Sequence, residues 1–203
     1  MTGWNVAPVA SGHALRVTEL ASPDRTLTAV RVGDGRDLVI LHSLLTDRHA
    51  FDPVLDALAK RFRVTLINLP GFHGSAAIEP SIKAYAACIA GGFDQFEIAR
   101  DASLIGNGFG GTLALAVALA HGDRIGKLVV CDAAASFPSE GKRAFAVMAE
   151  KVVAGGLGAI ADIAANRVFH GAYLAAHPSA IDERRQSERA AAVVAPARRF
   201  SSC

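Results

Sequence analysis

Four short strand segments, each separated from the next by a helical stretch, constrain the fold of this chain more than any other feature of the sequence. The first, residues 38–41, is a continuous apolar run, which is typical of a strand that is buried on both faces. The other three segments cover residues 64–67, 102–105 and 127–131. Strands that alternate with helices form a mostly parallel sheet with helices on both faces. The sequence therefore predicts an α/β fold.

The two ends of the chain differ from this alternating middle part. Near the start, residues 13–20 and 26–32 alternate between apolar and polar side chains and predict two antiparallel strands. After residue 137 three helices are predicted without an intervening strand. We therefore predict a core over 1–137 and a helical insertion over 138–186. Residues 187–203 form an atypical tail, because their Ala-, Arg- and Pro-rich composition resembles an out-of-frame translation.

Composition limits the classes of partner. The chain has 21 Lys+Arg against 19 Asp+Glu without a basic block, so we expect no nucleic acid partner. No apolar run reaches about 18 residues, so we expect no membrane partner. Residues 1–10 lack the pattern of a signal peptide. Cys88, Cys131 and Cys203 lie far apart, which predicts free thiols and a cytoplasmic protein. We expect Cys88 and Cys131 to be small core residues.

Residues 106–111, Gly-Asn-Gly-Phe-Gly-Gly, lie between a predicted strand and a predicted helix and fit a nucleophile elbow, G-x-S-x-G. The flanking Gly106 and Gly110 would allow strand and helix to approach closely. The central position, which normally holds a strained serine, is Gly108. Glycine adopts such a backbone conformation easily, so the fold would tolerate the exchange while the covalent chemistry would be lost.

The same segment also fits the dinucleotide-binding pattern G-x-G-x-x-G through Gly106, Gly108 and Gly111. Asp132 follows about 20 residues later, where an acid that binds ribose is expected. Such a fingerprint normally opens the first βαβ unit, whereas at least two parallel strands are predicted before this one. An NAD(P)-binding oxidoreductase is therefore the less favoured alternative.

Two further motifs follow the first two buried strands. They are residues 42–47, His-Ser-Leu-Leu-Thr-Asp, and residues 68–75, Asn-Leu-Pro-Gly-Phe-His-Gly-Ser. With residues 106–111 they come in the order and spacing by which the chain resembles the α/β-hydrolase family, especially its enol-lactonase and small-ester hydrolase branch. The resemblance implies a mostly parallel sheet with helices on both faces and a helical cap. It also implies hydrolysis of a small-molecule ester or lactone without a cofactor.

The resemblance also implies roles for individual residues. Gly108 stands at the nucleophile position. The backbone N–H of Phe109 would be one donor of the oxyanion hole, and that of Ser43 or Leu44 the other. Asp132 lies where some relatives have the catalytic acid, although a residue of a turn or cap hinge is the favoured interpretation. Ser43 itself departs from the family, which has glycine at that point of the turn.

Four side chains are candidates for contact with substrate. For His42, at the end of a buried strand, a hydrogen-bonded structural role is favoured over substrate binding. His73 is expected either to touch substrate or to shape its loop. Phe145 and Met148 would line the pocket or pack the cap, and packing is favoured. Asn68, where the family has aspartate, is interpreted as a structural change.

The remaining expectations concern what the chain lacks. His170 and His177 are seven residues apart without a matching cysteine or carboxylate cluster, so no metal site is expected. The family's acid and histidine follow two further strands beyond the cap, and we expect these C-terminal strands to be missing. The protein as written would then be inactive, and a non-catalytic small-molecule-binding protein is a further alternative. A truncated sheet would expose apolar surface, which predicts self-association.

Overall fold

A six-stranded β-sheet forms the centre of the molecule. The computed structural model describes residues 16–44, 46–156, 158–160, 170–179 and 182. The strands are β1 (Val17–Ala21), β2 (Thr28–Val32), β3 (Arg36–Leu41), β4 (Phe62–Asn68), β5 (Ala102–Asn107) and β6 (Ile125–Cys131). They lie in the sheet in the order β1-β2-β4-β3-β5-β6. Each of the four predicted strands is present and is longer than the segment from which it was predicted.

The pairing of the strands confirms the predicted mostly parallel sheet. β1 pairs antiparallel with β2, and β2 antiparallel with β4. The other pairs, β3 with β4, β3 with β5 and β5 with β6, are parallel. In the register of the central strand, Leu38 lies opposite Val64 on one side and Ser103 on the other. The carboxyl ends of β3, β4 and β5 therefore meet at one edge of the sheet.

Helices cover both faces of the sheet. They are α1 (Asp52–Ala59), α2 (Ile82–Gln95), α3 (Phe109–Ala120), α4 (Ser139–Gly155), a short helix over Gly171–Ala176, and two 3-10 helices over Arg48–Phe51 and Gly122–Arg124. The side chains of β3 alternate between two cores. Val39 and Leu41 pack in the core that contains residues of α2 and α3, whereas Leu38 and Ile40 pack in the core that contains Leu55 of α1. This double burial explains the continuous apolar run.

The sheet edge formed by β6 exposes apolar side chains. Leu128, Val129 and Val130 are 36%, 45% and 37% exposed. Cys131 is exposed, so the expectation of a core residue was wrong for it, whereas Cys88 is half-buried and packs against the core that contains α2 and α3. The reason lies in the topology, because β6 pairs with β5 and has no strand on its other side among the described residues. An apolar run alone does not distinguish a central strand from such an edge strand.

The region after β6 is described in part. The predicted helix after Pro138 is present as α4, whereas the helix over Gly171–Ala176 was not predicted. The predicted helices over 157–169 and after Pro178 lie largely outside the described residues, and so does the whole tail over 187–203. None of the helices among the described residues combines the length and the apolar character that crossing a membrane requires.

Candidate active site

The candidate site lies at the carboxyl edge of the sheet, where the loops after β3, β4 and β5 meet. Parallel strands bring these loops together because all three strands point in the same direction. In open α/β sheets this edge is the usual place for a ligand. These loops contain the three sequence motifs, residues 42–47, 68–75 and 106–111. Each motif follows a predicted strand, so this position agrees with the sequence analysis.

The turn between β5 and α3 has a conformation that favours glycine. Gly108 has φ 54° and ψ −119°, and it immediately precedes the first residue of α3. A residue with a side chain would be strained at this positive φ, at a cost of about 1–3 kcal/mol. The Gly108 N–H donates to the carbonyl oxygen of Cys131 at 2.9 Å, and the Gly108 carbonyl accepts from the N–H groups of Gly111 and Thr112. The turn is thus tied to both β6 and α3.

The flanking glycines allow strand and helix to approach closely. A Cβ atom on Gly110 would overlap the carbonyl oxygen of Leu41 and lie 2.5 Å from that of His42. A Cβ atom on Gly106 would overlap the carbonyl oxygen of Gly110 and lie 2.6 Å from the Cα atom of Gly111. Backbone atoms cannot move aside as a flexible side chain can. Both glycines are therefore required by the packing of α3 against β3 and β5.

The side chain of Ser43 occupies the space beside Gly108. A Cβ atom on Gly108 would overlap Ser43 Oγ and lie 2.9 Å from Ser43 Cβ. The N–H of Phe109 donates to Ser43 Oγ at 3.4 Å. The Phe109 N–H, which is predicted to be a donor of the oxyanion hole, thus has the Ser43 hydroxyl as its partner. Leu44, next to Ser43, is half-buried and packs against the core that contains α2 and α3.

His42 is held between two backbone groups. Its Nε2 accepts from the N–H of Leu69 at 3.1 Å, so Nδ1 carries the proton and donates to the carbonyl oxygen of Ser43 at 2.8 Å. Burial lowers the pKa of His42 from 6.5 to about 4, although its bond to Ser43 and the charge of Asp47 act in the opposite direction. The neutral ring joins the loops after β3 and β4. Both ring nitrogens thus form hydrogen bonds to backbone groups. The sequence analysis favours such a structural role for His42.

Asn68 and Ser75 fix the loop after β4. Asn68 is fully buried, its Oδ1 accepts from the N–H of Arg48 at 3.2 Å, and its Nδ2 donates to Thr28 Oγ1 at 3.1 Å. Ser75 Oγ donates to the carbonyl oxygen of Asn68 at 3.0 Å. The Asn68 amide thus accepts from one neighbour and donates to the other, which an amide side chain can do at the same time. This supports the interpretation of Asn68 as a structural residue.

His73 lies in the same loop and contacts Asp47 rather than the turn after β5. Its Nδ1 is 3.2 Å from Asp47 Oδ2, and its backbone has the left-handed φ of 36°. Burial alone would raise the pKa of Asp47, but hydrogen bonds from His73 and from the N–H of His49 hold it below its usual value. No pattern in the sequence predicts this contact, because residues 47 and 73 belong to different loops.

The other predicted site residues lie after β5. Phe145, in α4, is half-buried and packs edge to face against Phe137 with ring centroids 4.9 Å apart. Met148, one turn further along α4, is also half-buried. Asp132 is exposed directly after β6 and has the left-handed φ of 47°, which is typical of a turn. These positions are compatible with the favoured interpretations, packing for Phe145 and Met148 and a turn residue for Asp132.

Residues 38–180 match the alpha/beta hydrolase fold family. The chain belongs to this family. The matched range begins in β3 and contains all three motif loops. Residues 106–111 span the end of β5 and the start of α3. A dinucleotide fingerprint would open the first βαβ unit. Four of the described strands precede β5, so this turn does not open the first βαβ unit of the chain.

Similar proteins include hydrolases of several kinds. A pimeloyl-[acyl-carrier protein] methyl ester esterase from Aeromonas hydrophila is 30% identical over 133 residues, which are 64% of this chain and 50% of the relative. The chain thus spans about half the length of this curated relative. A thermophilic esterase structure from Thermogutta terrifontis is 26% identical with a TM-score of 0.77, covering 92% of this chain and 72% of the other. The enol-lactonase structure from Burkholderia xenovorans is 25% identical with a TM-score of 0.69, covering 93% and 70%.

Proposed function

We propose that this chain binds a small ester, a lactone or the acid derived from one at the carboxyl edge of its sheet, and does not hydrolyse it through a serine on the turn after β5. One observation carries the proposal. Position 108 is glycine in a left-handed conformation, and Ser43 Oγ lies where a side chain at that position would begin. The hydroxyl beside this turn therefore belongs to Ser43, on the turn after β3, and not to residue 108.

The partners of the neighbouring groups support binding over covalent catalysis. A serine nucleophile needs a histidine that removes its proton. His42 uses both ring nitrogens for backbone groups, and His73 Nδ1 is bonded to Asp47. The bond from the Phe109 N–H to Ser43 Oγ is long, at 3.4 Å. A carbonyl or carboxylate oxygen of a ligand could replace it at small cost. Oxyanion donors without a nucleophile and base give weak catalysis.

The ligand class follows from the relatives. The Aeromonas hydrophila relative is an esterase for a methyl ester, and the Burkholderia xenovorans structure is an enol-lactonase. All these ligands share a carbonyl group with an adjacent oxygen, which one or two backbone N–H groups can bind. We therefore propose a carboxylic ester, a lactone or a carboxylate as the ligand of this chain.

A serine-directed fluorophosphonate probe tests the absence of a nucleophile. We expect no covalent adduct on the wild-type chain by intact-mass spectrometry, and the same result for Ser43→Ala. An adduct on Ser43 in the wild type, located by peptide mapping and lost in Ser43→Ala, would show instead that this hydroxyl is a nucleophile. Hydrolysis of p-nitrophenyl acetate by both proteins provides the activity readout.

Replacing the glycine tests whether serine alone is missing. We expect Gly108→Ser to remain inactive on p-nitrophenyl acetate, because no histidine partner for it is evident in the described loops. The double variant Gly108→Ser/Ser43→Gly removes the overlap with Ser43 and should also remain inactive. Robust esterase activity in either variant would contradict the proposal, because it would require a base that we have not identified.

Binding is tested separately from turnover. We expect short-chain esters, lactones and carboxylates to raise the Tm of the wild-type chain in a saturable manner, since a ligand at about 100 times its Kd adds about 2.7 kcal/mol of stability. NAD and NADP are the control ligands. A stabilisation by these nucleotides alone would favour the dinucleotide interpretation. No saturable shift with any ester, lactone or acid would remove the binding proposal and leave the absence of turnover standing.

A further inference from the structure

Three side chains from two loops converge beside the candidate active site. They are Asp47 and His49, from the segment after β3, and His73, from the loop after β4. Each offers one ligand atom, and these three atoms lie within 4.8 Å of one another. Asp47 Oδ2 is 3.2 Å from His73 Nδ1, and the ring centroids of His49 and His73 are 5.5 Å apart. The fold thus brings together one carboxylate and two imidazoles that lie between positions 47 and 73 of the sequence.

We propose that Asp47, His49 and His73 form a binding site for a divalent transition-metal ion of the zinc type. Two imidazoles and one carboxylate are a donor set that Zn²⁺ accepts in proteins, whereas Mg²⁺ and Ca²⁺ prefer oxygen donors alone. A cation bound there would take the place of the hydrogen bond between His73 Nδ1 and Asp47 Oδ2, and the neutral imidazole would carry its proton on Nε2. Small side-chain rotations would bring the three atoms to bonding distance from a common centre.

The carboxylate of Asp47 is held in place by the backbone. Its Oδ1 accepts from the N–H of His49 at 2.9 Å at the start of the 3-10 helix, while Oδ2 faces His73. The Asp47 side chain is 3% exposed. Burial would raise its pKa, but the hydrogen bonds from His73 and the His49 N–H, with the nearby imidazole charges, lower it. The group is thus a buried side-chain carboxyl with one oxygen fixed by the backbone and the other facing His73, which suits a cation.

The two imidazoles complete the site on the solvent side. Their side chains are 34% exposed for His49 and 35% for His73, so water or a further ligand can reach a bound ion. His49 Nδ1 also lies 3.0 Å from Asp52 Oδ2. A carboxylate bonded to the ring is the usual outer partner of a metal-ligating histidine, because it orients the imidazole. Asp52 is the candidate for that role here.

Titration of the metal-stripped, tag-free chain with ZnCl2 tests the site. The Cys131→Ser background removes the exposed thiol as an alternative ligand. We expect saturable one-to-one binding in calorimetry and a matching rise in Tm, with no response to MgCl2. His49→Gln and His73→Gln should each weaken Zn²⁺ binding by about tenfold or more. Substitution with CoCl2 should give the visible absorption of a four-coordinate ion.

Matched variants keep the test falsifiable. His121→Gln changes a histidine at the other end of α3 and should leave Zn²⁺ binding unchanged. Asp47→Asn keeps an oxygen that can cap the 3-10 helix but removes the charge, so we expect a folded protein with weakened binding. The proposal is overturned if no one-to-one binding is found. It is also overturned if His121→Gln weakens binding as much as His73→Gln, or if His49→Gln and His73→Gln bind Zn²⁺ as the parent does.

Discussion

Ser43 Oγ lies in the space where a side chain on Gly108 would begin, and the N–H of Phe109 donates to it at 3.4 Å. The family resemblance implies glycine at position 43 and serine at position 108. This chain has serine at 43 and glycine at 108, so the two residue types are exchanged. The two positions compete for one volume at the end of β3 and β5. A serine at both would require one of them to move.

A double-mutant cycle should therefore show coupling between these positions. We expect Gly108→Ala to destabilise the protein by about 1–3 kcal/mol, because of the positive φ and the overlap with Ser43. In the Ser43→Gly background the overlap is gone and only the φ cost remains, so the loss should be smaller by about 0.5 kcal/mol or more. Urea denaturation of the four proteins measures the difference. Equal losses in both backgrounds would mean that Ser43 moves aside without cost.

The buried, neutral His42 predicts a loss of stability in mildly acidic solution. Its pKa falls from 6.5 in the unfolded chain to about 4 in the folded protein, so the unfolded state binds the proton more tightly. The stability that the neutral ring contributes is complete above pH 6.5 and is lost as the pH falls towards 4. Between pH 7.5 and pH 5 the resulting loss in the free energy of unfolding is about 2 kcal/mol.

The control for this effect is His42→Gln, whose side-chain oxygen can still accept from the N–H of Leu69 but does not titrate. We expect the free energy of unfolding of this variant, from urea denaturation at both pH values, to fall less than that of the wild type. The comparison removes the contributions of other groups, which both proteins share. Parallel losses in the two proteins would show that His42 does not determine the acid sensitivity.

The close approach of α3 to the sheet predicts opposite effects of alanine at two glycines. Gly110→Ala would drive a methyl group into the carbonyl oxygens of Leu41 and His42, and we expect a loss of about 1–3 kcal/mol or more. Gly91, inside α2, has no atom within 4 Å of its added Cβ. Gly91→Ala should therefore stabilise the protein by about 0.5–1 kcal/mol. Thermal unfolding distinguishes the two, and similar Tm values for both variants would contradict the packing argument.

The sequence was sufficient to predict which segments form the central strands and that most of them are parallel, because apolar segments that alternate with helical stripes indicate such a sheet. It also predicted the turn at Gly108, since the glycine spacing reports a close approach of strand and helix. It could not predict that Ser43 fills the space beside Gly108 or that His73 meets Asp47. These contacts depend on the relative position of loops that follow different strands. The exposure of Cys131 was missed because an apolar strand at an edge has the composition of a central one.

The exposed faces of β6 predict association of the chain with a second copy of itself. Leu128, Val129 and Val130 are all exposed, and β6 has no strand partner on its outer side among the described residues. Apolar edge strands pair readily with other chains, and lysine on such an edge opposes pairing. Light scattering coupled to size exclusion should show concentration-dependent association of the wild type, reduced in Val129→Lys. Val54→Lys is the matched control, because Val54 is 47% exposed on α1, against 45% for Val129. A monomeric wild type at high concentration, or equal effects of the two lysines, would show that β6 does not mediate association.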